Sequence, residues 1–216
     1  MADLPVQDLR RNYQTGSLLE ADAPAAPLPL FRTWFEAALK SGTPEPNAMT
    51  LATVDSRGRP RARTVLLKGI EDSGLLFYTN YDSEKGHELS RAPACSLCFW
   101  WPTLERQVRV CGLVERISAA ESDAYFASRP RPSKLGAIAS DQSRVVPNRE
   151  ALERRFAAVD AEYAHSEIPR PPHWGGYRVR PDEFEFWQGR ASRLHDRLRY
   201  RLLDGRGNWS RERLSP

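Results

Sequence analysis

The sequence predicts a mainly β protein with accessory helices, of the α+β class, folded as an antiparallel barrel with helices packed around it. Short segments that alternate apolar and polar residues are joined by tight turns such as SRGRP and EDSG, which is typical of antiparallel strands. Helical patterns interrupt these strands but never alternate strictly with them, which argues against a parallel sheet. The chain also lacks a glycine-rich dinucleotide fingerprint and a Walker loop, so a Rossmann domain is not predicted.

The elements follow in order along the chain. Apolar residues at helical spacing predict an amphipathic helix over residues 29–40, which Ser41 and Gly42 end. Strands are predicted over residues 49–55, 61–70, 75–80, 94–101 and 105–117, with a short helix capped by Ser83 between the third and the fourth. Two further helices are predicted over residues 118–129 and 148–165, and strands return as YRVRP, EFEFWQG, RLRYRLL and a final short WSRERL.

Length and composition indicate a globular, cytoplasmic protein. The 216 residues, of which 40% are hydrophobic, can form one domain with a sizeable core. We divide the chain into a polar, Ala/Pro-rich arm over residues 1–26 and a single domain over residues 27–216. No apolar stretch approaches the roughly 20 residues of a membrane span, and the first residues lack the apolar segment of a secretory signal, so we expect no membrane partner.

Neither metal nor hydrolase chemistry is predicted. The four histidines are scattered without metal-ligand spacing, and no hydrolase nucleophile motif lies near any of them. Cys95 and Cys98 form a C-x-x-C, but no second pair completes a zinc site. We expect the cysteines to be ordinary thiols of the core.

One candidate anion site lies at the junction of two predicted helices. Tyr125 and Arg129 are four residues apart and share a helix face, while Pro130 and Pro132 end that helix and leave Ser133 to cap the next one. Two hydroxyls, a guanidinium and a helix N-terminus together make a phosphate cradle. A capped helix with one exposed arginine explains the same residues equally well.

A second basic cluster lies near the C-terminus. Arg193, His195 and Arg197 occupy alternate positions, so a strand would align two cations and a titratable donor on one face. A surface strand with solvated arginines would give the same pattern. By the same parity, Arg63 and Lys68 of one predicted strand point to opposite faces and need not serve the same anion.

Motifs from one end of the chain to the other carry a family resemblance. In order they are RNY, RTVLLKG, FYTN, SEKGHEL, TLERQVRV, YFASRPRPSKLGA, SDQS, HWGGYRV, EFWQG, RLHDR and RLSP. They are similar to the ordered motifs of the pyridoxamine 5′-phosphate oxidase family. The resemblance implies a split β-barrel homodimer that holds FMN at the subunit interface. It also implies oxidation of pyridoxamine or pyridoxine 5′-phosphate by oxygen to pyridoxal 5′-phosphate, with release of hydrogen peroxide.

The resemblance implies roles for individual residues. Contacts with FMN are implied for Arg63, Thr64, Val65, Leu66, Leu67, Lys68, Tyr78, Thr79, Lys85, Gln107, Gln142, Ser143, Trp187 and Arg197. Within this set, Arg63 and Lys85 would meet the FMN phosphate. Contacts with the substrate are implied for Tyr13, Lys68, Tyr125, Arg129, Ser133, Arg193 and His195. Arg193 and His195 are the implied catalytic residues, which hold the pyridine ring against the flavin, and Tyr13 of the arm would close above it.

One residue departs from the family pattern, because Glu84 stands where members commonly carry arginine. We expect Arg63 and Lys85 to suffice for FMN binding and the substitution Glu84→Arg to tighten it. Two other functions are alternatives to the oxidase. The first is that of a split-barrel flavin-dependent reductase with another substrate, and the second is that of a non-catalytic carrier of pyridoxal phosphate. A basic nucleic-acid-binding module is a third alternative. No recognised binding motif supports it, so no nucleic-acid partner is expected.

Overall fold

The computed structural model describes residue 9, residues 11–205 and residues 207–216; of the predicted arm, residues 1–8 and 10 lie outside this part. The helices in it are α1 (Pro27–Lys40), α2 (Glu84–Arg91), α3 (Ala119–Ala127), α4 (Arg131–Ala139) and α5 (Arg149–Glu162). The strands are β1 (Ala48–Val54), β2 (Pro60–Leu66), β3 (Gly69–Glu71), β4 (Gly74–Asn80), β5 (Ala94–Trp101), β6 (Arg106–Arg116), β7 (Trp174–Gln188), β8 (Asp196–Leu202) and β9 (Trp209–Arg213). None of the helices in the described residues is long and apolar enough to cross a membrane.

The strands pair in the order β2-β1-β5-β6-β7-β4-β3, with β8 beside β7 and β9 beside β8. Pairing is antiparallel between β3 and β4, β4 and β7, β7 and β8, and β8 and β9. The prediction of an antiparallel β protein with helices is therefore confirmed.

The described residues divide into two compact units. The first contains the residues up to Met49, Leu97–Cys111 and Asp182–Pro216, and the second contains Thr50–Ser96 and Gly112–Pro181. The strands β1, β5, β6 and β7 contribute residues to both.

An aromatic core holds the first unit together. Helix α1 begins at Pro27, whose missing N–H costs nothing in the first turn, and it buries Phe31 completely. The Phe31 ring lies 5.2 Å from Phe99 and 6.2 Å from Phe184, while Trp34 meets Phe186 edge to face at 5.3 Å. Burial of each such ring contributes about 1.5–3 kcal/mol relative to leaving it exposed.

The second unit is organised by β4, six of whose seven residues are buried. It pairs with the start of β7, where Tyr78 lies opposite Gly176. A Cβ atom at Gly176 would lie 2.4 Å from Ile117 Cδ1 and 2.9 Å from the Tyr78 ring, so glycine is required there to leave room for both side chains. Helix α2 begins beyond Ser83, whose side chain accepts from the Gly86 N–H as predicted.

Two strand predictions were wrong in their extent. The strand predicted over residues 61–70 is broken into β2 and β3, and the backbone N–H of Lys68 in the gap donates to Leu76 O at 2.8 Å. Because of the break, alternation along one strand does not relate Lys68 to Arg63. The segments YRVRP and EFEFWQG lie on one continuous strand of 15 residues, β7, because Asp182, the one residue between them, continues the strand.

The helix predicted over residues 118–129 is shorter than expected. Helix α3 ends at Ala127, so Arg129 lies beyond it and does not share a helix face with Tyr125. Pro130 disfavours a helical backbone at the residue before it.

Two further details of the predicted anion sites also differ. Ser133 does not cap α4, because Pro130 is the N-cap and Ser133 lies inside the first turn, its N–H donating to Pro130 O at 2.9 Å. Arg193 and His195 are not aligned on a strand with Arg197. Arg193 ends a short 3₁₀ turn, and β8 begins only at Asp196.

Candidate functional site

A cleft of about 310 Å³ in the second unit, here called the tyrosine cleft, gathers many of the predicted residues. It lies along the end of β2, strand β4 and the junction of α3 with α4. Its lining residues are Thr64, Val65, Leu66, Lys68, Tyr78, Thr79, Asn80, Lys85, Tyr125, Arg129, Gln142 and Trp174.

Three aromatic rings form a flat stack at this cleft. The ring centroids of Tyr78 and Tyr125 are 3.8 Å apart with an interplanar angle of 17°, and those of Tyr78 and Trp174 are 5.4 Å apart at 13°. Nearly parallel rings at these distances give a rigid apolar surface that suits a planar ligand.

Arg129 lies beside this stack with an unused donor. Its guanidinium stands 4.6 Å above the centroid of the Trp174 ring, a favourable cation–π position. The Nη1 atom of Arg129 is buried and has no hydrogen-bond partner among the described residues. Burial lowers the pKa of Arg129, because the charged form loses hydration. A buried donor of this kind calls for an anionic partner such as a phosphate.

Lys85 is the second cation of the tyrosine cleft. Its Nζ donates to Gln142 Oε1 at 2.6 Å and to Ser83 Oγ at 3.2 Å, both neutral acceptors. Thr79 Oγ1 donates to the same Gln142 oxygen at 3.2 Å. Burial, and then the nearby charge of Arg63, lowers the pKa of Lys85. A bound anion would relieve both effects.

Lys85 also lines a second cleft of about 410 Å³, the arginine cleft, together with Pro60, Arg61, Ala62, Arg63, Glu84 and Ser143. Arg63 Nη2 donates to Glu88 Oε2 at 2.8 Å, and the same oxygen accepts from Thr53 Oγ1 at 2.6 Å. Arg61 lies 3.8 Å from Glu84 and 3.9 Å from Glu88. The cations of this cleft are therefore already partly balanced by carboxylates of α2.

The tyrosine cleft and the arginine cleft contain most, but not all, of the residues assigned to FMN or to the substrate. Leu67 is buried at 4% exposure and does not line the tyrosine cleft, unlike its neighbours on both sides. Ser133 is also absent from the lining of that cleft. Gln107 lies half-buried on β6 in the first unit.

A separate aromatic cluster in the first unit contains Tyr13, Trp187 and His195. The His195 ring lies 4.6 Å from the Trp187 ring, and the Tyr13 ring lies 5.7 Å from each of them. His195 Nδ1 accepts from the Arg190 N–H at 3.1 Å, so the neutral ring carries its proton on Nε2. Burial, and then the charge of Arg193, lowers the pKa of His195, which keeps this donor neutral at pH 7.

The arginines around this cluster differ in how they are held. Ser192 and Arg193 have φ values of 57° and 64°, a left-handed conformation that is unfavourable for residues with a Cβ and often marks functional segments. Arg197 Nε donates to the buried Glu185 at 2.8 Å, and Arg197 Nη1 donates to Ser215 O at 2.7 Å. Arg197 is thus fixed by its own unit.

Sequence reasoning missed several residues of these sites. Trp174 and Asn80 line the tyrosine cleft, and Glu88 and Thr53 hold Arg63. Trp174 could have been found from the HWGG motif that follows a proline-rich turn, whereas the partners of Arg63 are distant in sequence. The described residues contain no group of three or more His, Cys, Asp or Glu side chains that could hold a metal ion.

Comparison with known proteins gives the relationship of the chain. Residues 35–163 match the family model described as pyridoxamine 5′-phosphate oxidase, and residues 174–216 match the pyridoxine 5′-phosphate oxidase C-terminal dimerisation region. Proteins named pyridoxine/pyridoxamine 5′-phosphate oxidase are 58% identical in Bordetella petrii and 55% identical in Gloeothece citriformis. Each alignment covers 99% of this chain and 100% of the relative.

Solved structures agree with this relationship. The crystal structure of PhzG from Burkholderia lata, in complex with tetrahydrophenazine-1-carboxylic acid, has a TM-score of 0.86 and 33% identity and covers 94% of this chain and 100% of that chain. A pyridoxamine 5′-phosphate oxidase-related, FMN binding protein from Nostoc punctiforme has the same fold, with a TM-score of 0.69 and 20% identity over 86% of this chain and 97% of that chain. The antiparallel sheet with its helices is the predicted split barrel, and the chain belongs to the pyridoxamine 5′-phosphate oxidase family.

Proposed function

We propose that this protein oxidises pyridoxamine 5′-phosphate, pyridoxine 5′-phosphate or both to pyridoxal 5′-phosphate, with FMN as cofactor and oxygen as the final acceptor. Oxygen is reduced to hydrogen peroxide, and the amine substrate also consumes water and releases ammonia. Full-length relatives of this name support the reaction. The observation that carries it is the unpartnered, buried Nη1 of Arg129 beside the flat stack of Tyr78, Tyr125 and Trp174.

A phosphorylated pyridine fits the chemistry of the tyrosine cleft. Its phosphate would accept from Arg129, with Lys68 and the Tyr125 hydroxyl as further partners lining the same cleft. We retain Ser133 in the proposed substrate set because it lies in the first turn of α4 and its hydroxyl can donate to a phosphate.

FMN also fits the groups available in the second unit. Lys85 is half-buried, lies near Arg63 and donates only to neutral oxygens among the described residues, so a phosphate would supply the missing negative charge. We assign the FMN phosphate to Lys85, Arg63 and Ser143 of the arginine cleft, and the flavin to residues 64–68, Tyr78, Thr79 and Gln142. When bound, FMN would accept hydride or its equivalent from the substrate carbon and pass the electrons to oxygen.

The assigned residues of the first unit would orient the substrate and the flavin rather than transfer protons. We assign Arg193 and His195 to the pyridine ring and its substituents, and we assign Gln107, Trp187 and Arg197 to FMN. A neutral His195 with its proton on Nε2 can donate a hydrogen bond without adding a charge. Tyr13 packs on Trp187 and His195 and would cover the ring.

We further propose a cytoplasmic homodimer with FMN at the subunit interface. The match of residues 174–216 to a C-terminal dimerisation region supports self-association. Sedimentation of the FMN-loaded protein should give a dimer, and a monomer that retains FMN would overturn the interface assignments.

Turnover in air tests the reaction itself. FMN-loaded protein is mixed with pyridoxamine 5′-phosphate, pyridoxine 5′-phosphate and unphosphorylated pyridoxamine, and pyridoxal products and peroxide are assayed together. We expect peroxide and pyridoxal 5′-phosphate in equal amounts, with the phosphorylated substrates strongly preferred. Tight binding of pyridoxal 5′-phosphate without turnover of either phosphorylated substrate would instead indicate a carrier.

A further inference from the structure

Glu105 fixes the part of the chain that precedes α1. It lies in the turn between β5 and β6 and is only 4% exposed. Its Oε2 atom accepts from the N–H groups of Gln14 at 2.8 Å and of Thr15 at 3.0 Å, and Thr15 Oγ1 lies 2.9 Å from it. Hydrogen bonds to an ionised carboxylate are stronger than those between neutral groups. One buried side chain therefore ties down two successive residues of the arm.

The same turn forms the seat of Tyr13. Gly189 N–H donates to Glu105 O at 2.8 Å, which joins the backbones of the two residues. A Cβ atom at Gly189 would lie 2.8 Å from Tyr13 Cγ and 3.0 Å from Glu105 Cβ, so the ring of Tyr13 requires a glycine beneath it. Seated there, the Tyr13 ring reaches Trp187 and His195.

The backbone and charge state of Glu105 also point to a specific task. Its φ of 53° is left-handed, a conformation that a residue with a Cβ adopts at a cost. Burial would raise the pKa of the carboxyl, but the hydrogen bonds from Thr15 and Gln14 outweigh burial, so the pKa of Glu105 is lowered and the group is ionised. Glu105 thus combines an unfavourable backbone conformation with a buried charge at the point where the arm is held.

Further contacts fix the arm beyond this point. Leu18 N–H donates to Asp196 Oδ2 at 3.0 Å, while Arg213 donates to Leu18 O at 2.9 Å and to Glu20 at 2.6 Å. Residues 18–20 are thus held independently of Glu105. Glu105 controls only the stretch next to Tyr13.

We propose that Glu105 is a positioning residue, whose carboxylate holds Tyr13 against Trp187 and His195 and thereby increases the affinity for the pyridine substrate. This inference rests on the proposed function. Glu105→Ala should raise the KM for pyridoxamine 5′-phosphate about tenfold, as expected for the loss of a hydrogen-bonded charge, with little change in kcat per bound flavin. Glu105→Gln, which keeps an acceptor oxygen, should recover most of the loss. Thr15→Ala, on the exposed arm, should give a smaller change in the same direction.

A double-mutant cycle separates positioning from general destabilisation. If Glu105 acts through Tyr13, then Glu105→Ala should add nothing to the KM of the Tyr13→Ala variant. Additive effects of the two substitutions would overturn the proposal, as would an unchanged KM in both Glu105→Ala and Thr15→Ala.

A measurement without substrate keeps this inference distinct from the proposed reaction. Amide hydrogen exchange of Gln14 and Thr15 in the FMN-loaded protein should be faster in Glu105→Ala than in the wild type, while Leu18 should be unchanged. Equal exchange at Gln14 and Thr15 in the two proteins would overturn the role of Glu105. Another outcome is faster exchange in Glu105→Ala together with a wild type that does not oxidise pyridoxamine 5′-phosphate. In that case the proposed function and the predicted effect on KM are both wrong, whereas the role of Glu105 in holding the arm is supported.

Discussion

The assignment of the substrate phosphate to Arg129 makes the sharpest quantitative prediction. The change is Arg129→Leu, which removes the cation while keeping an apolar side chain beside Trp174. The unpartnered Nη1 atom and the cation–π contact at 4.6 Å place this guanidinium at the edge of the aromatic stack. Because a hydrogen bond to a charged group contributes about 1.5–3 kcal/mol, and each 1.4 kcal/mol is tenfold in affinity, KM for pyridoxamine 5′-phosphate should rise roughly 10- to 140-fold.

Steady-state kinetics with two substrates and a matched variant provides the assay. Unphosphorylated pyridoxamine, which has no group for Arg129 to bind, should lose little activity in the variant. Arg131→Ala is the control, because Arg131 is two residues away, is half exposed and pairs with Asp160 outside the tyrosine cleft. Thermal unfolding of both variants checks that the fold is intact. An unchanged KM for the phosphorylated substrate, or an equal loss for both substrates, would refute the assignment.

Three further predictions follow from the described contacts. Glu84→Arg should lower the Kd for FMN by up to about fivefold, since exposed charge pairs contribute up to about 1 kcal/mol, and should leave riboflavin binding unchanged; an equal or weaker FMN affinity by fluorescence quenching would contradict this. The His195 ring should titrate below its ordinary pKa of 6.5. The stability that the neutral ring provides should therefore be fully present above pH 6.5 and should be lost as the pH falls through the lowered pKa. An NMR titration midpoint at or above 6.5 would be evidence against the lowered pKa. Phe99→Ala should cost about 3–5 kcal/mol of unfolding free energy, because Phe99 is fully buried against Phe31 and Trp101; a denaturant midpoint equal to that of the wild type would show that this core is not as described.

Local patterns predicted most of the fold because they report on local physics. Apolar and alternating sequence patterns predicted β1, β4 and β5 within about a residue, and Ser83 was identified as a helix cap from its residue type and its position before a helical pattern. Composition could not predict the break at Lys68, because Leu66, Leu67 and Lys68 read as strand residues and the interruption depends on the pairing of β3 with β4. Ser133 was misplaced because Pro130 takes the N-cap position instead.

The sequence predicted which residues line the sites better than it predicted which residues contact one another. Tyr125 and Arg129 were predicted together and both line the tyrosine cleft, although α3 ends at Ala127 and they do not share a helix face. The stacking of Tyr125 with Tyr78 and Trp174 joins segments far apart in sequence. For the same reason, the partnership of Arg63 with Glu88 and the hold of Glu105 on the arm were not visible before the chain was folded.

The most direct test of the central claim is anaerobic reduction of the bound flavin. FMN-loaded protein is mixed with pyridoxamine 5′-phosphate without oxygen, the absorbance of the oxidised flavin is followed, and air is then admitted. We predict bleaching of the flavin in the first step, followed by its recovery with formation of peroxide and pyridoxal 5′-phosphate. An oxidised flavin that stays unbleached, with FMN and substrate both confirmed as bound, would contradict the proposed oxidase.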